Sequence, residues 1–222
     1  MDARHDEKQR DEKGQVEGSI LAGIGFTVAA ILLYGIQDAS AKILLRDIPA
    51  PMIVMLRFWA FGLLALFLGM RRFGFSLRAL GRAFASHRVP VQLLRALLLL
   101  ADLLLFATGL RTLSLGQATA ITLLFPIMVT VLSIPILGER VGLFRWVCVL
   151  FGFAGALIIV RPGYGAFNVG MLWVLAATAC YSVYLVLTRL VSGVDGTQTS
   201  MLYAGVIGMV ASSLVGVFFW HT

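Results

Sequence analysis

Between Val89 and Arg161, three apolar runs of about 20 residues are joined by two very short hinges, Leu110-Arg111-Thr112-Leu113 and Gly138-Glu139-Arg140. An α-helix of about 20 residues crosses a ~30 Å hydrocarbon layer at 1.5 Å per residue. A water-soluble domain cannot hide three such segments in a row. Followed along the whole chain, the pattern predicts an all-α integral membrane fold with seven transmembrane helices. The spans are Ser19–Ala41, Ala50–Met70, Val89–Leu110, Ser114–Ile136, Leu143–Val160, Asn168–Thr188 and Thr199–Trp220. Residues 1–18 are polar, mixed in charge and free of aromatics. They predict a solvated tail, not a signal peptide, which would run from basic to apolar and end at a small-residue cleavage site.

Composition agrees with that class. The 222 residues are 59% hydrophobic and 13% charged, against about 25% charged in a soluble domain. The net charge of +7 is not a nucleic-acid signature, because its distribution follows the spans. With the N-terminus placed in the cytoplasm, twelve Lys and Arg fall on the cytoplasmic side and four on the other, while Arg57 and Arg95 lie within spans. That is the positive-inside bias, and it predicts a multi-pass membrane protein with a cytoplasmic N-terminus. Cys148 and Cys180 both fall in apolar runs and read as small buried apolar residues. None of His5, His87 and His221 lies mid-span, so no metal site is expected. No phosphate-cradling loop of the P-loop kind is present, and no cofactor is expected.

An internal repeat follows from sliding the chain on itself by 147 residues. Tyr34 then falls on Tyr181 and Lys42 on Arg189, with the apolar runs around them superposed. Five spans separate the two copies, so the second enters the membrane upside down. Inverted repeats of this kind build many secondary transporters, with the substrate site between the halves near the midplane.

The spelling then becomes recognisable. Leu56-Arg57-Phe58, Leu94-Arg95-Ala96, Ala107-Thr108-Gly109-Leu110-Arg111, Ala118-Thr119-Ala120, Phe125-Pro126-Ile127, Leu137-Gly138-Glu139-Arg140 and Gly152-Phe153-Ala154-Gly155-Ala156-Leu157-Ile158 follow one another in order. This series resembles the EamA-type repeat of the drug/metabolite transporter superfamily. Leu187-Thr188-Arg189-Leu190 followed by Asp195 resembles the start of its second repeat. Together with Arg161-Pro162-Gly163, these residues look most like the riboflavin or S-adenosylmethionine importer branch. The resemblance implies ten helices in two inverted five-helix repeats. On that pattern, residues 19–162 form a complete first repeat and residues 168–222 two helices of the second, so the chain reads as C-terminally incomplete.

Ionisable groups inside a bilayer cost on the order of several kcal/mol unless paired or hydrated, and they usually mark a pathway. Asp38 and Lys42 are four residues apart on one face near the outer end of span one. They form either a polar gate or substrate contact at the outer mouth, or a local ion pair. Arg57 stands roughly 10 Å into span two, where it binds an anionic substrate group, joins a network with Asp38, or snorkels. Asp102, near the middle of span three, is a candidate for substrate contact or proton coupling, or else a protonated or Arg-paired structural carboxyl. Arg95, seven residues earlier, is expected to snorkel to the cytoplasmic surface. Pro126 in mid-span four bends its helix, for packing or to expose carbonyls to a wet cavity. Tyr181, Tyr184 and Trp173 in span six are packing aromatics, or a stacking surface if the substrate is flat. Glu139 is expected to organise its turn at the membrane surface.

These readings predict a secondary transporter that moves a small polar metabolite by alternating access, with the bilayer and that metabolite as partners. A homodimer is compatible with them, and nucleic acid is not a partner. The alternative is a truncated or partner-dependent remnant without transport activity of its own. An intramembrane enzyme is disfavoured, because it needs a nucleophile, base or metal cluster at depth.

Overall fold

The computed structural model describes residues 3–73, 81, 84–138, 142–160 and 168–219. Those residues are all-α. The helices are α1 (Ala3–Leu44), α2 (Ala50–Phe73), α3 (Val89–Leu110), α4 (Leu115–Thr122), α5 (Phe125–Leu137), α6 (Leu143–Val160), α7 (Val169–Ser192) and α8 (Thr197–Phe218). Among the described residues, six stretches are long and apolar enough to cross a membrane, with α4 and α5 together counting as one. α6, the fifth span expected from the sequence, has 18 residues and is apolar from Trp146 to its end at Val160. The expected polar tail carries helical backbone from Ala3. Glu139, Arg140, Arg161-Pro162-Gly163 and the last three residues lie outside the described residues.

The chain forms two compact units, Met1–Ala41 and Lys42–Thr222. The first unit is most of α1. Leu21, Phe26, Ile31, Leu32, Leu33 and Ile36 are all exposed.

In the second unit, α2 packs against α8, and α3 packs against both α7 and α8. The α2–α8 pair is antiparallel. Met55 meets Gly216 at one end, Gly62 meets Gly205 and Met209 in the middle, and Gly69 meets Leu202 at the other end. A Cβ on Gly62 would stand 2.9 Å from the Gly205 carbonyl oxygen, so the missing side chain is what allows the backbones to approach. Trp59 donates its indole N–H to Ser213 Oγ across the same pair at 2.9 Å.

Span four is two helices. Ser114 caps α4 through a reciprocal box: its Oγ accepts the Gln117 N–H at 3.3 Å, and Gln117 Oε1 accepts the Ser114 N–H at 3.1 Å. Pro126 has no N–H, so the helical ladder cannot run through it. The chain instead tightens at Leu123–Leu124, where the Leu124 N–H bonds to Ile121 O at 3.0 Å. α5 then starts with Pro126 in its first turn. It ends at Gly138, whose φ of 70° is the left-handed cap that glycine adopts without penalty.

Candidate functional site

A cavity of about 570 Å³ opens beside the break in span four. Leu123, Phe125, Pro126, Thr130 and Ser133 form one wall, Cys148 and Gly152 of α6 another, and Leu185, Thr188 and Arg189 of α7 a third. Its size falls within the range of small-molecule pockets. The lining is mostly apolar, with a few polar side chains able to orient a ligand. Cys148, expected to be buried, is exposed on the cavity wall, while Cys180 is half-buried in α7.

Behind α7 lies a buried polar network. Gln92, 1% exposed, donates from Nε2 to Asp195 Oδ2 at 2.9 Å and to Ser200 Oγ at 3.2 Å. Its Oε1 accepts from Arg95 Nη1 at 2.6 Å. Arg95 Nε donates to Thr188 Oγ1 at 3.1 Å, and the Thr188 hydroxyl in turn donates to the Tyr184 carbonyl at 2.6 Å. Asp195 also accepts from the Ser86 hydroxyl and, at 3.1 Å, from the His87 N–H. The Gln92 amide thus bridges a cation and an anion, with its carbonyl towards the guanidinium and its NH₂ towards the carboxylate.

Asp195 lies in the turn between α7 and α8 and is 7% exposed. Desolvation works to raise its pKa. The hydrogen bonds from Ser86, Gln92 and the His87 amide, with the nearby His87 ring, outweigh that and hold the carboxyl below its ordinary value. The His87 Nδ1 stands 3.7 Å from Oδ1, and its ring is 82% exposed, so the network reaches the surface there. Tyr203 ties the same region to α8 by donating to the Phe84 carbonyl at 2.8 Å.

This arrangement corrects the reading of Arg95. It does not snorkel: it is 3% exposed and its guanidinium carbon lies 5.2 Å from the Tyr184 ring centroid. Burial is sustained because Gln92, Thr188 and the ring replace water around the charge. Tyr184 stacks on Tyr181 at 6.0 Å, and Tyr181 meets Phe125 edge-on at 5.8 Å, which continues the aromatic run to the cavity wall. Trp173 sits eight residues before Tyr181, about 12 Å along the helix, and is exposed.

The other candidates lie elsewhere. Lys42 donates to the Leu110 carbonyl and, at 2.7 Å, to that of Leu113, so its ammonium caps the C-terminal end of α3. Asp38 is half-buried in α1 and Arg57 half-buried in α2. Asp102 is half-buried midway along α3, within electrostatic reach of Cys180 on α7. Among the described residues, no group of three or more His, Cys, Asp or Glu is arranged to hold a metal ion.

The site missed on the sequence alone is Gln92 with Asp195. One signal was available: Gln92 and Arg95 are three apart, hence on one helix face, in an otherwise leucine-rich run.

Comparison with known proteins supplies a family. Residues 21–161 match the EamA-like transporter family. The chain is 24% identical over 140 residues to an S-adenosylmethionine uptake transporter of Rickettsia prowazekii, covering 63% of this chain and 48% of the relative. It is 33% identical over 87 residues to a riboflavin transporter of Vibrio cholerae, covering 39% and 29%. A longer alignment, 22% identical over 202 residues, reaches an S-adenosylmethionine uptake transporter of Rickettsia conorii and covers 91% and 66%. Each alignment with the first two spans about half the relative's length or less. These relatives are named as transporters, not enzymes.

Proposed function

The chain belongs to the EamA-like transporter family and is a multi-pass membrane protein; on that premise we propose that it moves a small metabolite across the bacterial inner membrane by alternating access. The observation that carries the reading is the broken fourth span. Helices interrupted within the membrane commonly supply transporter binding sites, because freed backbone groups then face a cavity and not lipid. Leu123, Phe125 and Pro126, at the break, all line the cavity. We assign this cavity to the substrate, with Thr188 and Arg189 as its polar contacts and the Phe125–Tyr181–Tyr184 run as the firm wall behind it.

Two inverted repeats remain the proposed framework. An offset of 147 carries Ala50, where α2 starts, onto Thr197, where α8 starts. The same offset carries Gly62, in the middle of the α2–α8 crossing, onto its own partner Met209. Antiparallel helices that cross at equivalent positions are what a two-fold axis in the membrane plane requires. A cytoplasmic N-terminus is supported by the distribution of bases, with Arg71 and Arg72 closing α2 and Arg189 closing α7.

Cys148 makes the assignment testable. In a Cys180→Ser background, maleimide labelling of Cys148 is followed in membrane vesicles with riboflavin or S-adenosylmethionine as probes. At about ten times its Kd a bound solute leaves roughly a tenth of sites open, so labelling slows about tenfold. Uptake of the same radiolabelled solute accompanies the protection. Free labelling that neither probe slows would remove the cavity from the mechanism.

A further inference from the structure

Thr188 belongs to two structures at once: it lines the cavity, and it accepts from Arg95. Its hydroxyl has one proton, given to the Tyr184 carbonyl, and two lone pairs, of which Arg95 uses one. The second lone pair remains for a donor in the cavity. We propose that Thr188 is a positioning residue that links occupancy of the cavity to a charged latch, Arg95–Gln92–Asp195, which closes α3 onto α7 and α8.

The latch has the chemistry of something that opens. The cross-links that define it join Ser86, His87, Gln92 or Arg95 to Thr188, Asp195 or Ser200. On the repeat reading above, one set belongs to the first repeat and the other to the second. A buried ion network gains little over apolar packing, because desolvation offsets its attraction. The same fact makes it inexpensive to separate into water, where the charges are hydrated again. The exposed His87 ring stands 3.7 Å from the Asp195 carboxylate, at the edge of the network.

The other end of the α3–α7 contact has the opposite character. A Cβ on Gly109 would stand 2.8 Å from the Gly170 carbonyl oxygen and 2.6 Å from Val174 Cγ2. Backbone contact that close has no water to exchange for, and it serves as the pivot. A solute donor at Thr188 draws on the oxygen that holds Arg95 and so loosens the far end. That solute step rests on the transport reading; the latch itself does not need it.

The test uses a chain with Cys148→Ser and Cys180→Ser. Val191→Cys reports on the latch end and Leu110→Cys on the pivot end; both parent side chains are fully buried. Asp195→Asn raises maleimide labelling at the Val191 position about tenfold, the response to losing roughly one charge-assisted hydrogen bond. Thr188→Val raises it as well, Thr188→Ser returns it to the parent rate, and labelling at the Leu110 position stays unchanged throughout. The Thr188 pair carries the test if Asp195→Asn does not fold. A rise at both positions, no rise with Thr188→Val, or no restoration by Thr188→Ser overturns the proposal. Failure of the transport reading looks different: no uptake and no protection of Cys148, with the labelling pattern at Val191 and Leu110 intact.

Discussion

The α3–α7 contact is held in two ways. Near Gly109 and Gly170 the helices touch backbone to backbone, without a charge. About 20 Å further along α3 they are joined through Arg95, with Gln92 and Asp195 completing the contact to the α7–α8 turn. Steric closeness tolerates no added atom and does not respond to pH. A network of buried charges accepts changes of shape but not the loss of one member. One seam therefore has an end that can only break and an end that can open.

The largest effect is expected at the charged end. Arg95→Met leaves Asp195 and Gln92 without their counterpart and should cost about 3–5 kcal/mol, read as a lowered unfolding temperature in detergent. The apolar replacement of all three residues together, Gln92→Leu with Arg95→Met and Asp195→Leu, should recover most of that loss. If the triple variant were less stable than Arg95→Met alone, the network would be a structural staple and the comparison would fail.

Gly109→Ala comes next. Its Cβ would press on a carbonyl oxygen of the neighbouring backbone, which cannot move aside as a flexible side chain can. Overpacking of this kind costs about 1–3 kcal/mol. At Gly170 the added Cβ would overlap Oγ1 of Thr112, a β-branched side chain with little freedom to turn, so Gly170→Ala should cost a similar amount. A loss at neither glycine would show that this contact is not tight.

Asn168→Ala should lose about 1 kcal/mol. Its Oδ1 caps α7 through the Gly170 N–H at 2.8 Å, and its Nδ2 reaches the Thr112 carbonyl at 3.2 Å.

Acid separates the two ends more gently. The Asp195 carboxyl titrates below its ordinary value in the folded protein, so the folded state binds its proton less readily than the unfolded chain. Its stabilisation is complete above the ordinary carboxylate pKa of about 3.9 and disappears as pH falls through the lower folded value. The difference in unfolding temperature between the parent and Asp195→Asn should hold from neutral pH down to that range and shrink below it. Gly109→Ala should show the same penalty at every pH.

Much of the fold was legible because the bilayer imposes a length on each apolar run. Ser114 with Gln117, and Gly138 after Leu137, also mark helix ends by local chemistry alone. Pro126 announces an interrupted ladder, although nothing local says that the break lines a cavity. The network was not legible for a plain reason. Gln92 and Asp195 are 103 residues apart, and an aspartate between two helices reads as an ordinary turn residue. Arg95 invites a snorkelling assignment because its partners are supplied by α7 and by a turn that follows it. Lys42 lies in the last turn of α1, and its carbonyl partners belong to α3 and its following turn, about 70 residues away, where no local pattern points to them.

That order along the chain bears on how the protein is made. Arg95 leaves the ribosome about a hundred residues before Asp195, so α3 must first enter the membrane with its guanidinium uncompensated. On insertion scales an Arg or Asp at the centre of a helix costs about 2.5–3.5 kcal/mol, and each Leu returns roughly 0.3–0.6. The ten leucines among the 22 residues of α3 are thus of the right size to carry Arg95 and Asp102 across together. The leucine run is then a requirement of biosynthesis as well as of lipid contact. Trimming it to alanine would stall the helix at the translocon long before any defect could be read in the finished protein.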